Sequence, residues 1–155
     1  MKIDKSVDGN QMINPDTGVV RILIVEDNRG DVLLVREALK ESSLKFELTH
    51  IADGEQAFDY LLRRGIHRDA HRPNLVLLDL NLPKRDGWEV LDEIRTMPEL
   101  RDTPVVILSS SGNPKDRERA ARTPNSLYIR KPSTLDEFLA VGKVIEDFWS
   151  NAHNG

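Results

Sequence analysis

The sequence predicts an α/β fold: a doubly wound parallel sheet of five strands alternating with five helices. Three observations predict it. Short apolar runs rich in Val, Ile and Leu recur along the chain, as strands buried on both faces require. Amphipathic segments with apolar residues at helical spacing separate them. Gly, Pro, Asn and Asp stand at the junctions, where helices start and chains turn. Strands that alternate with helices in this way pair in parallel and carry helices on both faces.

Residues 1–18 are polar and aperiodic, so a flexible tail is expected there. The folded domain is expected over 19–150, with 151–155 as a C-terminal tail. The first strand is the block Arg21-Ile22-Leu23-Ile24-Val25. Residues 29–42 follow as a helix with Val32, Val35 and Leu39 inward. Phe46 to Ile51 is the second strand. Asp53 caps a second helix, whose apolar positions are Ala57, Phe58, Leu61 and Leu62. Leu75 to Leu78 is the third strand and runs into Asp79. Residues 87–97 form a third helix with Val90, Leu91 and Ile94 inward. Val105 to Leu108 is the fourth strand. Asn113-Pro114 opens a short charged helix, with Pro at its first position. Leu127 to Ile129 is the fifth strand. Thr134-Leu135-Asp136-Glu137 reads as a capping box, opening a last helix to about Trp149.

The chain has 155 residues, 39% hydrophobic and 31% charged, which suits one ordinary globular domain. It has no cysteine, so disulfides, thiol catalysis and cysteine zinc sites are excluded. The formal net charge of -4 argues against nonspecific binding to nucleic acid or membrane. The N-terminus lacks the apolar stretch of a signal peptide, and no apolar run is long enough to span a bilayer. The cytoplasm is the simplest location.

Ligands of such sheets bind beyond the carboxyl ends of the strands, where the winding direction switches. Here those ends carry Glu26-Asp27, Asp79, Ser109-Ser110-Ser111 and Lys131-Pro132. Brought together, the carboxylates would repel: two like charges ~4 Å apart cost roughly 4 kcal/mol at an effective dielectric near 20. Lys131 offsets one charge, and a divalent cation offsets the other two. An all-oxygen acidic rim suits Mg²⁺, or Mn²⁺ in its place. A phosphoryl group on Asp79 would bring one further negative charge, and the Ser109 hydroxyl is placed to donate to it. A hydroxyl drawn inward leaves space behind it. Tyr128, three residues before Lys131, is the side chain to fill that space.

In order and spacing, Glu26-Asp27, Asp79, Ser109, Tyr128 and Lys131-Pro132 resemble the receiver domains of two-component response regulators. The resemblance runs from about Arg21 to Trp149. It implies a flavodoxin-like (βα)5 fold with strand order 2-1-3-4-5. It makes Asp79 the phosphoacceptor for a sensor histidine kinase. Asp27 would bind the metal directly, Glu26 largely through water, and the Asn81 backbone carbonyl would add a ligand. Ser109 and Lys131 would hold phosphoryl oxygens, and Tyr128 would be the rotating aromatic switch. Leu82-Pro83 and Asp86-Gly87 match the loop after the acceptor. Within the family, the chain is most similar to small single-domain regulators that partner phytochrome kinases. That likeness rests on Asp79 to Lys84, the lengthened segment Arg63 to Arg72, and Phe148-Trp149. Ser109 departs from the Thr of many members, but keeps the hydroxyl.

Only six residues follow Trp149, so output by protein contact is expected rather than by a DNA-binding or catalytic domain. On the last helix, Leu135, Phe138, Leu139, Gly142, Ile145 and Trp149 share one face, the expected core stripe. Val141, Val144 and Phe148 form a second stripe, expected to be a homodimer or partner surface.

Plainer roles compete for each residue. Glu26 and Asp27 could be helix-start acids, Tyr128 core packing, Trp88 core packing, and His67 with His71 part of a solvated basic loop. Three other functions compete as well. An Asp-nucleophile phosphate hydrolase would need a general acid at Asn81, which cannot serve. A flavin module would need a phosphate cradle where Glu26-Asp27 stand. A degenerate receiver acting as a scaffold would not need an intact cleft. The chemistry expected is self-phosphorylation and slow self-dephosphorylation, not enzymatic turnover.

Overall fold

The computed structural model describes residues 18–154. The expected N-terminal tail therefore lies, apart from Gly18, outside the described residues. The elements are β1 (Val20–Val25), α1 (Arg29–Glu41), β2 (Phe46–Ile51), α2 (Gly54–Leu61), β3 (Leu75–Leu78), α3 (Gly87–Thr96), β4 (Val105–Ser109), α4 (Pro114–Ala121), β5 (Ser126–Arg130) and α5 (Leu135–Asn154). A short 3₁₀ turn, Gly65–His67, lies in the lengthened segment before β3. The five strands pair in parallel in the order β2-β1-β3-β4-β5.

The central strands are apolar on both sides because both sides are covered. Leu23, Val25, Val76, Leu78, Val105 and Ile107 point toward α2 and α3, where Phe58, Leu61, Val90, Leu91 and Ile94 meet them. The alternate residues Ile22, Ile24, Leu75, Leu77, Val106 and Leu108 point toward α1 and α5. The period of two along each strand thus builds two cores from one sheet. The edge strands show the contrast: β2 alternates between half-buried and exposed residues until Ile51, and β5 is half-buried for four of its five residues.

Side-chain caps start the helices as the sequence suggests. Asn28, Asp53 and Asn113 accept backbone N–H bonds from Asp31, Gln56 and Lys115. A full capping box occurs where none was expected, between Asp86 and Glu89 at the start of α3. At Thr134 the hydroxyl accepts from Glu137 N at 3.2 Å, which is one half of the box expected there.

Two expectations for α5 are corrected. The helix continues to Asn154, so residues 151–154 extend it instead of forming a tail. Val141 belongs to the core, at 4% exposure, while Leu135 is exposed. The cause is that α5 packs on α1 as well as on the sheet. At the crossing, Gly142 lies so close to α1 that a methyl group there would overlap the Ala38 carbonyl. Two neighbours bury a wider arc of the helix than one, and that arc includes Val141.

Candidate phosphoacceptor site

The parallel register carries the chemistry to one place. Val25 pairs with Leu78, and Leu78 with Ile107. Asp79 N donates to Val25 O at 3.0 Å, and Lys131 N donates to Ser109 O at 2.8 Å, so the ladder runs on into the functional residues. Glu26 and Asp79 are buried beside exposed Asp27, with one oxygen from each within 4.8 Å of the others. Lys131 Nζ lies 2.8 Å from Glu26 Oε1, 2.8 Å from Asp31 Oδ2 and 3.3 Å from Asp79 Oδ2.

These side chains are held by their neighbours. Asn81 N donates to Asp79 Oδ1 at 3.3 Å, and Asn28 N donates to Glu26 Oε2 at 3.1 Å. His50 Nε2 donates to the Glu26 carbonyl at 2.6 Å. Gly87 opens α3 directly against the acceptor strand end; a Cβ there would overlap the Asp79 carbonyl and press on Leu80. Only glycine allows that approach.

Burial pushes the Glu26 carboxyl up to about 7, against the bond from Lys131, and the Asp79 charge adds to the rise. Burial works against the Lys131 ammonium. Its hydrogen bonds to Asp31 and Glu26 outweigh that cost and hold it above the ordinary lysine value. Three clustered carboxylate groups, two of them buried, with a single lysine form an oxygen-only donor set, which suits a hard divalent cation such as Mg²⁺.

The other side of the cleft is made of hydroxyls. Ser109 is fully buried at the end of β4, and its Oγ accepts from Ser111 N at 3.2 Å. Tyr128 is half-buried against the α2–α3 core, and its hydroxyl donates to the Ser111 carbonyl. The Arg117 guanidinium lies over its ring at 5.0 Å. Tyr128 is therefore both a packing residue and a tether on the loop after β4.

The sequence reading and the structure agree on Glu26, Asp27, Asp79 and Lys131 as one cluster, with Ser109 at the next strand end. Val141, Val144 and Phe148 do not form one surface. Val141 is in the core, Val144 is exposed at 45%, and Phe148 is half-buried against the core. Two groups went unseen. Asp31 looks like an ordinary first-turn acid, though it stands four residues after Asp27. Asp116 accepts from Trp88 Nε1 and from Ser111 Oγ, both at 3.0 Å, and no local sequence signal marks that pairing.

The profile of the response regulator receiver domain matches residues 22–142. The chain belongs to the response regulator receiver family. Response regulator Rcp1 of Synechocystis sp. is 42% identical over 128 residues, covering 83% of this chain and 87% of that protein. The crystal structure of the phosphorylated cyanobacterial phytochrome response regulator RcpA superposes with a TM-score of 0.77 at 43% identity, covering 84% of this chain and 94% of that one. The Mn²⁺-bound form of Rcp1 gives 0.77 at 42%, with the same coverage. Receiver domains act with histidine kinases in two-component signalling and bind a divalent metal. Among the described residues, no helix is long and apolar enough to cross a membrane.

Proposed function

We propose that Asp79 accepts a phosphoryl group from a phosphohistidine of a sensor histidine kinase. One Asp79 oxygen bonds to phosphorus while the P–N bond breaks and the imidazole leaves. The observation that carries this is the cluster of Glu26, Asp27 and Asp79 at the strand ends, with Lys131 paired to Glu26 and Asp79. Mg²⁺, or Mn²⁺, would be held by Asp27, Asp79 and the Asn81 carbonyl, with Glu26 largely through water. Bound there, the cation supplies charge neutralisation for the transferring group. Lys131 and Ser109 donate to phosphoryl oxygens. The transfer is stoichiometric, followed by slow self-dephosphorylation.

Drawing Ser109 Oγ inward pulls on Ser111, whose N–H it holds and whose carbonyl holds Tyr128. Phosphorylation on Asp79 is thereby passed to the outer face of β5, where output by protein contact arises. The likeness to phytochrome regulators supports a photoreceptor kinase as donor and the cytoplasm as location. Val144 and the exposed part of Phe148 are the remaining candidates for a homodimer contact on α5, with Val141 removed from that surface. Size-exclusion chromatography of wild type and Phe148→Asp checks it: loss of a dimer peak supports the contact, and a monomer in both ends it.

The deciding experiment is incubation with acetyl phosphate and Mg²⁺, read by intact-protein mass spectrometry. One base-labile phosphoryl adduct is expected on wild type and none on Asp79→Asn. An equal adduct on both would refute Asp79 as the acceptor.

A further inference from the structure

We propose that Asp31 is a positioning residue that competes with the incoming phosphoryl group for Lys131. This rests on Asp79 being the phosphoacceptor. A lysine ammonium has three N–H donors. In this structure three carboxylates share them: Glu26 and Asp31 at 2.8 Å, and Asp79 at 3.3 Å. No donor is left over. For Lys131 to hold a phosphoryl oxygen, one of these bonds must open.

The three partners are not equally able to let go. Glu26 is 3% exposed, so losing its lysine would strand a carboxylate away from water. Asp79 is the group that carries the phosphoryl, and Lys131 must stay beside it. Asp31 has a side chain exposed to 23%, so water can replace the ammonium there. Asp31 is also outside the group of carboxylates suited to a cation, so no metal would draw it away. It stands on α1, which is locked against α5 at Gly142, and its N–H is fixed by Asn28 Oδ1 at 3.1 Å. Its carboxylate is thus a fixed counter-charge that keeps part of the lysine's attraction for itself.

Neutralising Asp31 removes that competitor and one negative charge near the phosphoryl group, while making the cleft less attractive to a cation. The two affinities should move in opposite directions. A residue that merely offset the α1 dipole would change stability and neither affinity.

The experiment uses fluoroberyllate, a phosphoryl mimic, with saturating Mg²⁺, and Mg²⁺ alone, each titrated by calorimetry into wild type, Asp31→Asn and Glu37→Gln. The last variant removes an exposed carboxylate of α1 that pairs with Lys40 and not with Lys131. Asp31→Asn should bind fluoroberyllate about three- to tenfold tighter and Mg²⁺ alone several-fold more weakly, with Glu37→Gln matching wild type in both. Unchanged or weaker fluoroberyllate binding by Asp31→Asn, or the same gain in Glu37→Gln, would overturn the proposal. If wild type itself binds no fluoroberyllate, the phosphoacceptor function fails instead. Should Asp31→Asn not fold, a crystal structure of wild type with Mg²⁺ and fluoroberyllate decides. Lys131 Nζ should then contact fluorine with its bond to Asp31 opened, and an intact Lys131–Asp31 pair would contradict the competition.

Discussion

The two sides of the phosphoacceptor cleft are built to different standards. On one side, α1 and α5 pack so tightly that only glycine is tolerated at residue 142, and Asp31 on α1 shares Lys131 with Glu26 at the end of β1. On the other, α4 buries only Ala120, β5 is an edge strand, and the loop between β4 and α4 is held by hydroxyls and one carboxylate. The difference teaches a division of labour. Charge must be held in place to bind a cation and a phosphoryl group, so it sits on the rigid side. A signal needs an element that can move at small cost, so the polar tethers sit on the loose side.

That contrast is breakable. The largest effect is expected at Gly142→Ala, which should lower unfolding stability by about 3 kcal/mol, because neither helix backbone can yield. Ala120→Gly on α4 should cost only about 1 kcal/mol. Urea denaturation of both measures the gap, and equal losses would erase the distinction.

Next in size is a pH effect on the charged side. Burial raises the Glu26 carboxyl from 4.5 to about 7 in the fold. Between those values the native state holds a proton that the unfolded chain has released. Metal-free stability should therefore fall as pH rises from about 4.5 to about 7, by about 2 kcal/mol from this group. Glu26→Gln should remove that share of the slope. Urea midpoints across the range, with a divalent-ion chelator present, test it. An identical slope in the variant would show that Glu26 titrates as an ordinary exposed acid.

The smallest effect is on the loose side. Asp116→Ala removes the acceptor of Trp88 Nε1 and of Ser111 Oγ and should cost about 1 kcal/mol. The Trp88 indole N–H resonance should shift with it, and the β4–α4 loop should exchange amide hydrogens faster. An unmoved resonance would mean that the Trp88–Asp116 bond does not hold that loop.

Much of this was legible because a parallel sheet converts strand ends into neighbours. Glu26, Asp79 and Ser109 each follow an apolar run directly, and Lys131 follows one after Arg130, so finding the strands also found the cleft. Gly87 next to Asp86 likewise marked the turn of the acceptor loop. Val141 was misread because the helical projection assumed one packing partner. With α1 as a second partner, the buried arc turned past the stripe Phe138, Ile145 and Trp149 and took in Val141. Asp31 was hidden by its setting, since an acid in the first turn of a helix is ordinary. Only the reach of Lys131 across the sheet, from β5 to α1, gives it another role. The Trp88–Asp116 bond joins residues 28 positions apart through side chains alone, and no periodicity records such a meeting.

The most direct measurement is hydrogen exchange with and without Mg²⁺ and fluoroberyllate, in wild type and Asp79→Asn. In wild type, protection should change at Ser109 to Asn113, along α4 and on β5, while α1 and α5 keep their exchange rates. Asp79→Asn should show none of this. Changes spread evenly over α1 and α5, or the same changes in Asp79→Asn, would contradict a switch that begins at Asp79 and leaves through the loosely built side.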